Sequence, residues 1–119
     1  MRPRPVPSIY RGQVYFLDLN MGVGPKPYLV VSNNARNASK KGDYLGVRVT
    51  TTPPGPARER LATIMPVSDP AGSLTGWALC DDIYMLYDAD WVTATAMPAQ
   101  VPPRQMAAVD AGLRHALGL

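Results

Sequence analysis

The sequence has very little of what many enzyme active sites are built from. Its 119 residues include one cysteine, Cys80, and one histidine, His115. Zinc sites need three or four nitrogen or sulfur ligands, so we expect neither a metal site nor a cofactor. A Ser-His-Asp triad would depend on His115, which lies in the last turn of a predicted helix. A protonated histidine there stabilises the helix through its interaction with the helix dipole, which favours a structural role. Cys80 has no neighbouring base, which favours a buried thiol over a nucleophile, and a lone cysteine indicates a cytosolic protein.

Long hydrophobic runs and glycine-rich phosphate loops are also missing. No stretch approaches the roughly 20 apolar residues that a membrane-spanning helix needs, so we expect no membrane association. The chain contains neither the GxxxxGKS/T nor the GxGxxG pattern of nucleotide-binding loops. The arginines and prolines at the start are not followed by the apolar core of a secretory signal. We expect residues 1–10 to form a flexible, Pro- and Arg-rich arm and residues 11–119 to form a single domain.

Positive charge is concentrated in the first half of the chain. Residues 1–60 hold ten Lys and Arg against three Asp and Glu, a balance of +7, whereas residues 61–119 hold two against six, a balance of −4. A basic half in a small cytosolic domain predicts a polyanionic partner such as nucleic acid. The alternative is a solvated surface whose charge asymmetry has no function.

Alternating apolar residues and β-branched residues predict at least five short strands. The stretches expected to form them are residues 12–19, 27–32, 43–51, 61–68, 77–82, 83–87 and 91–97. The stretches 77–82 and 83–87 fit either two strands or one strand that bends near Asp81–Asp82. Pro66 is expected to end or bend the fourth strand.

Proline, glycine and helix-forming residues define the rest of the chain. The loop at residues 52–60 contains three prolines and a glycine, and we expect no regular structure there. The polar stretch 33–42 has room for one helical turn capped by Asn33 or Asn34. Residues 102–119 are the one convincing helix, with an apolar stripe along one side. Short strands, one terminal helix and no crossover helices favour a mainly β fold that closes, or nearly closes, into a small barrel.

Two polar residues on neighbouring strands suggest a phosphate site. Lys26 stands at the start of the second strand, and Arg48, Thr50 and Thr52 share one face of the third by the period-two rule. If these strands pair, Lys26 and Thr50 approach each other near one end of the sheet. An ammonium and a hydroxyl placed there would bind a phosphate and stabilise added charge in a transition state. The alternative is a surface lysine in a turn and threonines that only pack the strand.

The adjacent carboxylates Asp81 and Asp82 form a second candidate. Neighbouring strand residues point to opposite faces, so at least one of the two carboxylates is expected to face inward, towards a pocket or a cationic partner. The alternative is a turn at a strand end in which both acids are solvated.

Three segments of the chain resemble one protein family. "RGQVYFLDL…GVGPKPYLVVSNNARN", residues 11–37, is similar to the opening of the MazF/PemK (Kid) family of toxin endoribonucleases. In that opening, RG starts a strand and, after a loop, RP starts an apolar strand that ends at asparagine. "VRVTTT", residues 47–52, resembles the family's third-strand motif, and "LCDD", residues 79–82, resembles its CDQ segment. With the closing amphipathic helix, the resemblance covers most of the chain from Arg11 onward.

The resemblance implies a fold, a reaction and partners. The fold is a small SH3-like barrel of the CcdB/PemK (MazF) type that forms a homodimer, and the terminal helix and adjacent strands are expected to help dimerise. The reaction is metal-independent cleavage of single-stranded RNA, in which the 2′-hydroxyl attacks the adjacent phosphate and leaves a 2′,3′-cyclic phosphate and a 5′-hydroxyl. The partner is a cognate, acidic, MazE-like antitoxin with a partly disordered tail that folds on binding.

The resemblance also implies roles for residues of this chain. The family's arginine before proline falls on Lys26, which keeps the charge but loses the bidentate fork. The family's threonine falls on Thr50, which would bond the scissile phosphate, and its proposed base falls on Asp81. Two further family arginines fall on Leu79 and Tyr84 and are therefore missing here. The candidates for RNA contacts are Arg11, Ser32, Asn33, Arg36, Arg48 and Arg58.

The missing arginines keep a second interpretation open. A barrel of the same fold could act without cleavage, by binding a protein target such as gyrase, as CcdB-like relatives do, or by binding RNA. The retained Lys26 and Thr50 favour the nuclease.

Overall fold

The computed structural model describes residues 8–39, 41–72, 74–93 and 98–119. Within these ranges the chain forms six strands, three α-helices and one 3₁₀ helix. The strands are β1 (Gln13–Leu17), β2 (Lys26–Val30), β3 (Asp43–Thr50), β4 (Ile64–Ser68), β5 (Thr75–Tyr87) and β6 (Ala99–Gln100). The helices are α1 (Asn34–Ala38), α2 (Pro56–Glu59), the 3₁₀ helix (Asp88–Thr93) and α3 (Pro103–Leu117).

The six strands form one antiparallel sheet in the order β4-β5-β3-β2-β1-β6. The sheet curls into a half-barrel, and α3 packs against β4 and β5. The predicted mainly β fold with a C-terminal helix is confirmed. The strand order places β4 and β6 at the two edges of the sheet.

Each face of the sheet buries its own apolar cluster. On the helix-covered face, Met106 and Val109 of α3 pack with buried sheet residues, among them Val14, Leu29, Val47, Val49, Ala78 and Cys80. On the opposite face, called here the aromatic face, Trp91 of the 3₁₀ helix covers tyrosines of the sheet. The Trp91 ring stands edge-on to Tyr15 and Tyr44, with ring centroids 5.4 Å and 5.1 Å away. The period of two along each strand separates the clusters, because alternate side chains enter opposite faces.

Strand β5 changes face at a bulge. Its register with β3 shifts between Val47 and Arg48, which leaves residues 80–82 of β5 without an opposite residue. Before the bulge, Ala78 packs in the cluster of the helix-covered face, and after it Tyr84 packs against the cluster of the aromatic face. Strand β5 is therefore one bent strand, with its irregularity where the sequence predicted it.

Two predicted elements are wrong. Residues 56–59 form α2 inside the stretch expected to lack regular structure, because Pro56 occupies the first helical turn, where its missing N–H is not needed. The strand expected at residues 91–97 is instead the end of the 3₁₀ helix as far as Thr93. Residues 94–97 of that prediction lie outside the described residues.

Proline in an edge strand and helix capping explain the bounds of β4 and α1. Pro66 does not end β4 but lies within it, because β4 is an edge strand that uses only one side of its backbone for pairing. The predicted helical turn after the second strand is confirmed as α1. Its cap is Asn33, whose side-chain oxygen accepts a hydrogen bond from the backbone N–H of Arg36 at 2.8 Å.

Part of the expected N-terminal arm packs against the sheet. Ile9 is 5% exposed and belongs to the cluster of the aromatic face. Residues 1–7 of the expected arm lie outside the described residues. Over the part of the chain that the structure describes, no helix is both long and apolar enough to span a bilayer.

Candidate active site

Lys26 and Thr50 lie on adjacent strands, beyond the last residue pair of the β2–β3 ladder. That ladder ends at Tyr28 and Arg48, and the same register continued by two residues would set Lys26 opposite Thr50. Directly opposed residues of an antiparallel pair lie on one face, with Cβ atoms about 4.5–5.5 Å apart. Both side chains are half-buried. An ammonium and a hydroxyl are thus presented side by side at the end of two paired strands.

The Thr50 hydroxyl is oriented by the chain that follows it. Its Oγ1 accepts the backbone N–H of Thr52 at 3.2 Å and lies 3.3 Å from the carbonyl oxygen of the same residue. Since the contact to the carbonyl is long for an O–H···O bond, the hydroxyl hydrogen can turn to an incoming acceptor. The position is therefore suited to donate to a phosphate oxygen.

Trp77 extends the row of Lys26 and Thr50 onto a third strand. It pairs with Thr50 across the β3–β5 ladder and is half-buried. An aromatic ring beside a phosphate site offers a surface for a base to stack on. Sequence reasoning missed Trp77. It lies two residues before Leu79, the residue paired with Arg48, and therefore on the same face of β5 as Leu79.

One residue pair further along the same face lies a polar recess formed by Tyr28, Arg48, Asp82 and Tyr84. The rings of Tyr28 and Tyr84 meet edge-on with centroids 5.4 Å apart. Hydrogen bonding to Asp82, followed by burial, raises the pKa of Tyr84, while the charge of Arg48 lowers it. Burial raises the pKa of Tyr28, against the lowering effect of Arg48. Both tyrosines therefore remain neutral hydroxyls at physiological pH.

Two polar atoms of the recess are buried without a hydrogen-bond partner among the described residues. They are the hydroxyl oxygen of Tyr28 and Nε of Arg48. Buried polar groups in native proteins are nearly always paired, so these two atoms lack a partner that such groups normally have. Nε of Arg36 and Nε1 of Trp91 are unpaired in the same way among the described residues.

The bulge decides which of the two adjacent carboxylates faces this recess. Asp82 is half-buried and interacts with both tyrosines of the recess, whereas Asp81 is exposed. The expectation that at least one of the pair faces a cationic partner agrees with the position of Asp82 near Arg48. The resemblance points to Asp81, and the amino-acid sequence alone does not separate the two carboxylates because it does not reveal the register of a bulge.

Two of the other candidates for RNA contacts have partners inside the protein. Arg11 pairs with Asp110 of α3 and donates from Nη1 to the carbonyl of Val31 at 2.5 Å. Ser32 is 4% exposed, and its Oγ accepts the backbone N–H of Leu45 at 3.1 Å. These side chains stabilise the fold, and the candidate RNA surface therefore excludes Ser32.

The remaining candidates lie at or near the surface. Asn33 is exposed but caps α1 with its side chain, and Arg36 is half-buried and forms an ion pair with Asp43 at 2.9 Å. Arg58 is exposed in α2. The structure does not bring these three to the row of Lys26 and Thr50 through any hydrogen bond or ion pair among the described residues.

Cys80 is a buried thiol, as expected from the sequence. Burial raises its pKa to about 11, and the nearby charges of Asp81 and Asp110 act in the same direction. A thiol with such a pKa carries almost no thiolate at neutral pH and is therefore a poor nucleophile.

Comparisons with known proteins show which family this chain is similar to. The sequence profile of the PemK-like, MazF-like toxin of type II toxin–antitoxin systems matches residues 10–117. Endoribonuclease MazF1 of Mycobacterium bovis and Endoribonuclease MazF4 of Mycobacterium tuberculosis are each 38% identical over 112 residues, covering 92% of this chain and 92% of theirs. A solved mycobacterial endoribonuclease in complex with its cognate antitoxin superposes with a TM-score of 0.74 at 38% identity, covering 93% of this chain and 96% of that one.

The profile match and the identity extend across nearly the whole chain, including both strands of the Lys26–Thr50 pair and the bulge in β5. The resemblance carried by the opening strands is thereby confirmed, and the protein belongs to the PemK-like, MazF-like family of type II toxin–antitoxin toxins.

Proposed function

We propose that this protein is the endoribonuclease toxin of a type II toxin–antitoxin pair and that it cleaves single-stranded RNA at the Lys26–Thr50 pair. Membership of a toxin family, with relatives that are named endoribonucleases, supports the activity. The observation that supports the site is that Lys26 and Thr50 lie two residues beyond the paired Tyr28 and Arg48 and, by the strand period, on the same face as that pair. Arg48 stands one pair away on that face, so positive charge and hydroxyl donors converge on a single phosphate-sized position.

The proposed reaction is an internal transfer within the RNA. The 2′-oxygen forms a bond to the adjacent phosphorus, and the bond from phosphorus to the 5′-oxygen breaks. The proton of the 2′-hydroxyl passes to water, because the exposed Asp81, the base that the resemblance implied, does not share the face of Lys26 and Thr50, and the leaving 5′-oxygen takes a proton from water. Lys26 and Thr50 donate to the non-bridging oxygens as their charge grows in the transition state. The products are a 2′,3′-cyclic phosphate and a 5′-hydroxyl, and the reaction needs no metal ion.

The RNA is proposed to lie extended along the exposed end of this face. A single strand presents unstacked bases, which bind by stacking on aromatic rings, and Trp77 beside Thr50 supplies such a ring. Arg48, and at a greater distance Arg58 and Arg36, supply charge for backbone phosphates. Asn33 remains a candidate contact at the exposed start of α1.

The proposed partners are a second copy of the chain and an acidic, MazE-like antitoxin. One solved structural neighbour is described as an endoribonuclease in complex with its cognate antitoxin, and three others from Deinococcus radiodurans are described as MazE-MazF. The basic first half of this chain offers a surface to which an acidic tail would bind, and such a tail would compete with RNA. Since its substrate is RNA, the protein is proposed to act in the cytoplasm.

The direct test is cleavage of a long RNA by the purified protein in the presence of EDTA, mapped by primer extension. We expect discrete cuts with 2′,3′-cyclic phosphate ends for the wild type. Lys26→Ala and Thr50→Ala should each slow cleavage by about 10²–10³-fold, the cost of removing one donor to a developing oxyanion. Arg104→Ala, which removes an exposed charge at the start of α3, is the matched control and should cut like the wild type.

Intact RNA under conditions in which the protein arrests growth would reject the nuclease. That outcome would favour the alternative of a barrel that binds gyrase or RNA without cutting. The names of the two curated relatives favour the nuclease over that alternative.

A further inference from the structure

We propose that Arg48 is a second catalytic cation, which donates to the scissile phosphate beside Lys26, and that Asp82 is the residue that positions it. This inference rests on the proposed nuclease function. It assigns to β3 and the β5 bulge a role in stabilising the transition state.

The position of Arg48 is set by two ladders of the sheet. It pairs with Tyr28 across β2–β3 and with Leu79 across β3–β5, so its side chain projects from the same face as Lys26 and Thr50. Diagonal neighbours on one face of an antiparallel pair lie about 7–8 Å apart, which is within reach of a long side chain. A phosphate held between Lys26 and Thr50 is therefore close to the guanidinium of Arg48.

The guanidinium of Arg48 forms no ion pair within the described part of the chain. The other half-buried arginines, Arg11 and Arg36, form ion pairs with Asp110 and Asp43, whereas Arg48 belongs to neither pair. Its Nε is buried and has no hydrogen-bond partner within the described ranges of the chain. A cationic donor withdrawn from water without a partner is costly, and an anion bound in front of it removes that cost.

Two tyrosines and a carboxylate lie near Arg48 on this face. Asp82 interacts with Tyr84 and Tyr28, and the charge of Arg48 acts on the same two hydroxyls. The carboxylate of Asp82 and the guanidinium of Arg48 thus lie near the same two aromatic rings, which meet edge-on with centroids 5.4 Å apart. Asp82 is proposed to fix the direction of the guanidinium, and the neutral tyrosines confine it.

This arrangement also accounts for a departure from the family pattern. Tyr84 stands where that pattern has an arginine, and Lys26 lacks the fork that an arginine would supply. Strand pairing brings Gly46 opposite Tyr84, and Arg48 follows two residues later on the same face. A guanidinium therefore enters this recess from β3 instead of β5, with the planar donor geometry that suits a phosphate.

The test is single-turnover cleavage of a synthetic RNA that contains one mapped site. Arg48→Ala should lower the rate constant by about 10²-fold or more, and Arg48→Lys should restore only part of it, because the ammonium keeps the charge but not the fork. Arg104→Ala, with the same change of charge, should stay within about twofold of wild type. Thermal melting of each variant separates lost chemistry from lost folding.

Substitution of sulfur for a non-bridging oxygen of the scissile phosphate tests the contact itself. If Arg48 donates to that oxygen, the sulfur should slow the wild type far more than it slows Arg48→Ala or Arg48→Lys, because the two changes remove the same interaction. A merely structural arginine would leave the effect of sulfur unchanged. Asp82→Asn should lower kcat with little change in KM, since it misdirects Arg48 without removing substrate binding.

The outcomes separate this inference from the function on which it rests. Cleavage by the wild type together with Arg48→Ala and Arg48→Lys rates within about threefold of it, or equal sulfur effects in all three, overturns the role of Arg48 and leaves the nuclease intact. Absence of cleavage by the wild type rejects both.

Discussion

The hydroxyl of Tyr44 shows how burial on the aromatic face changes the chemistry of a single residue. It donates to Asp88 at 2.8 Å, and burial, followed by that bond, raises its pKa from 10.0 to about 12. The folded state therefore holds this proton more tightly than the unfolded state. The stabilisation is complete below about pH 10 and is lost as the pH rises towards 12.

Tyr44→Phe tests this coupling. The free energy of unfolding of the wild type, measured with urea from pH 8 to 11.5, should fall more steeply above pH 10 than that of the variant. Other groups whose pKa is raised by burial, including Cys80 and Tyr15, titrate in both proteins and cancel in the comparison. Parallel curves for the two proteins would contradict the assignment to Tyr44.

The face of the sheet on which a candidate side chain lies was predictable only where the alternation of residues along a strand determines it. Lys26 and Thr50 needed no more than alternation and the pairing of two consecutive strands. The choice between Asp81 and Asp82 needed the register of a bulge, which depends on tertiary packing rather than on local sequence. The internal partners of Arg11 and Ser32 were equally hidden, because Asp110 and Leu45 are distant in sequence.

Helix α3 lies close against β5 at one glycine. A Cβ atom added at Gly112 would lie 2.7 Å from Sγ of Cys80 and 3.3 Å from Cγ of Met65. The helix approaches the sheet closely because this position has no side chain. The buried Cys80 thus has a packing role, in keeping with its raised pKa.

Gly112→Ala should lower the free energy of unfolding by about 1–2 kcal/mol, because overpacking exceeds the gain of about 1 kcal/mol from better helix propensity. The double variant with Cys80→Ala should recover part of the loss, since it removes Sγ. Denaturant unfolding of the four proteins in this cycle measures both effects. A stabilised Gly112→Ala would show that the helix has room at this point.

Elements with a strong periodic signal were predicted well, and those that depend on context were not. The first three strands and the terminal helix have clear apolar patterns, and their positions are correct to within a few residues. Helix α2 was missed because prolines that exclude a strand are compatible with the first turn of a helix. Pro66 was misinterpreted because its effect depends on whether the strand lies at an edge.

Folding brings together side chains that are far apart in the sequence. Lys26 and Thr50 belong to different strands, and Asp82 arrives from a third after the loop, α2 and β4. The curled sheet gathers all three onto one face, whose opposite side is covered by α3. The family and its mainly β architecture were recognisable from sequence, whereas the recess around Arg48 emerges only from the assembled sheet.

Lys26 and Thr50 are proposed to donate hydrogen bonds to the same phosphodiester. A double-mutant cycle of single-turnover RNA cleavage measures whether the two side chains act on one transition state. Because the two groups stabilise one transition state, the variant that combines Lys26→Ala with Thr50→Ala should be only slightly slower than the slower single variant. Rate losses that multiply, as they do for independent sites, would contradict the account.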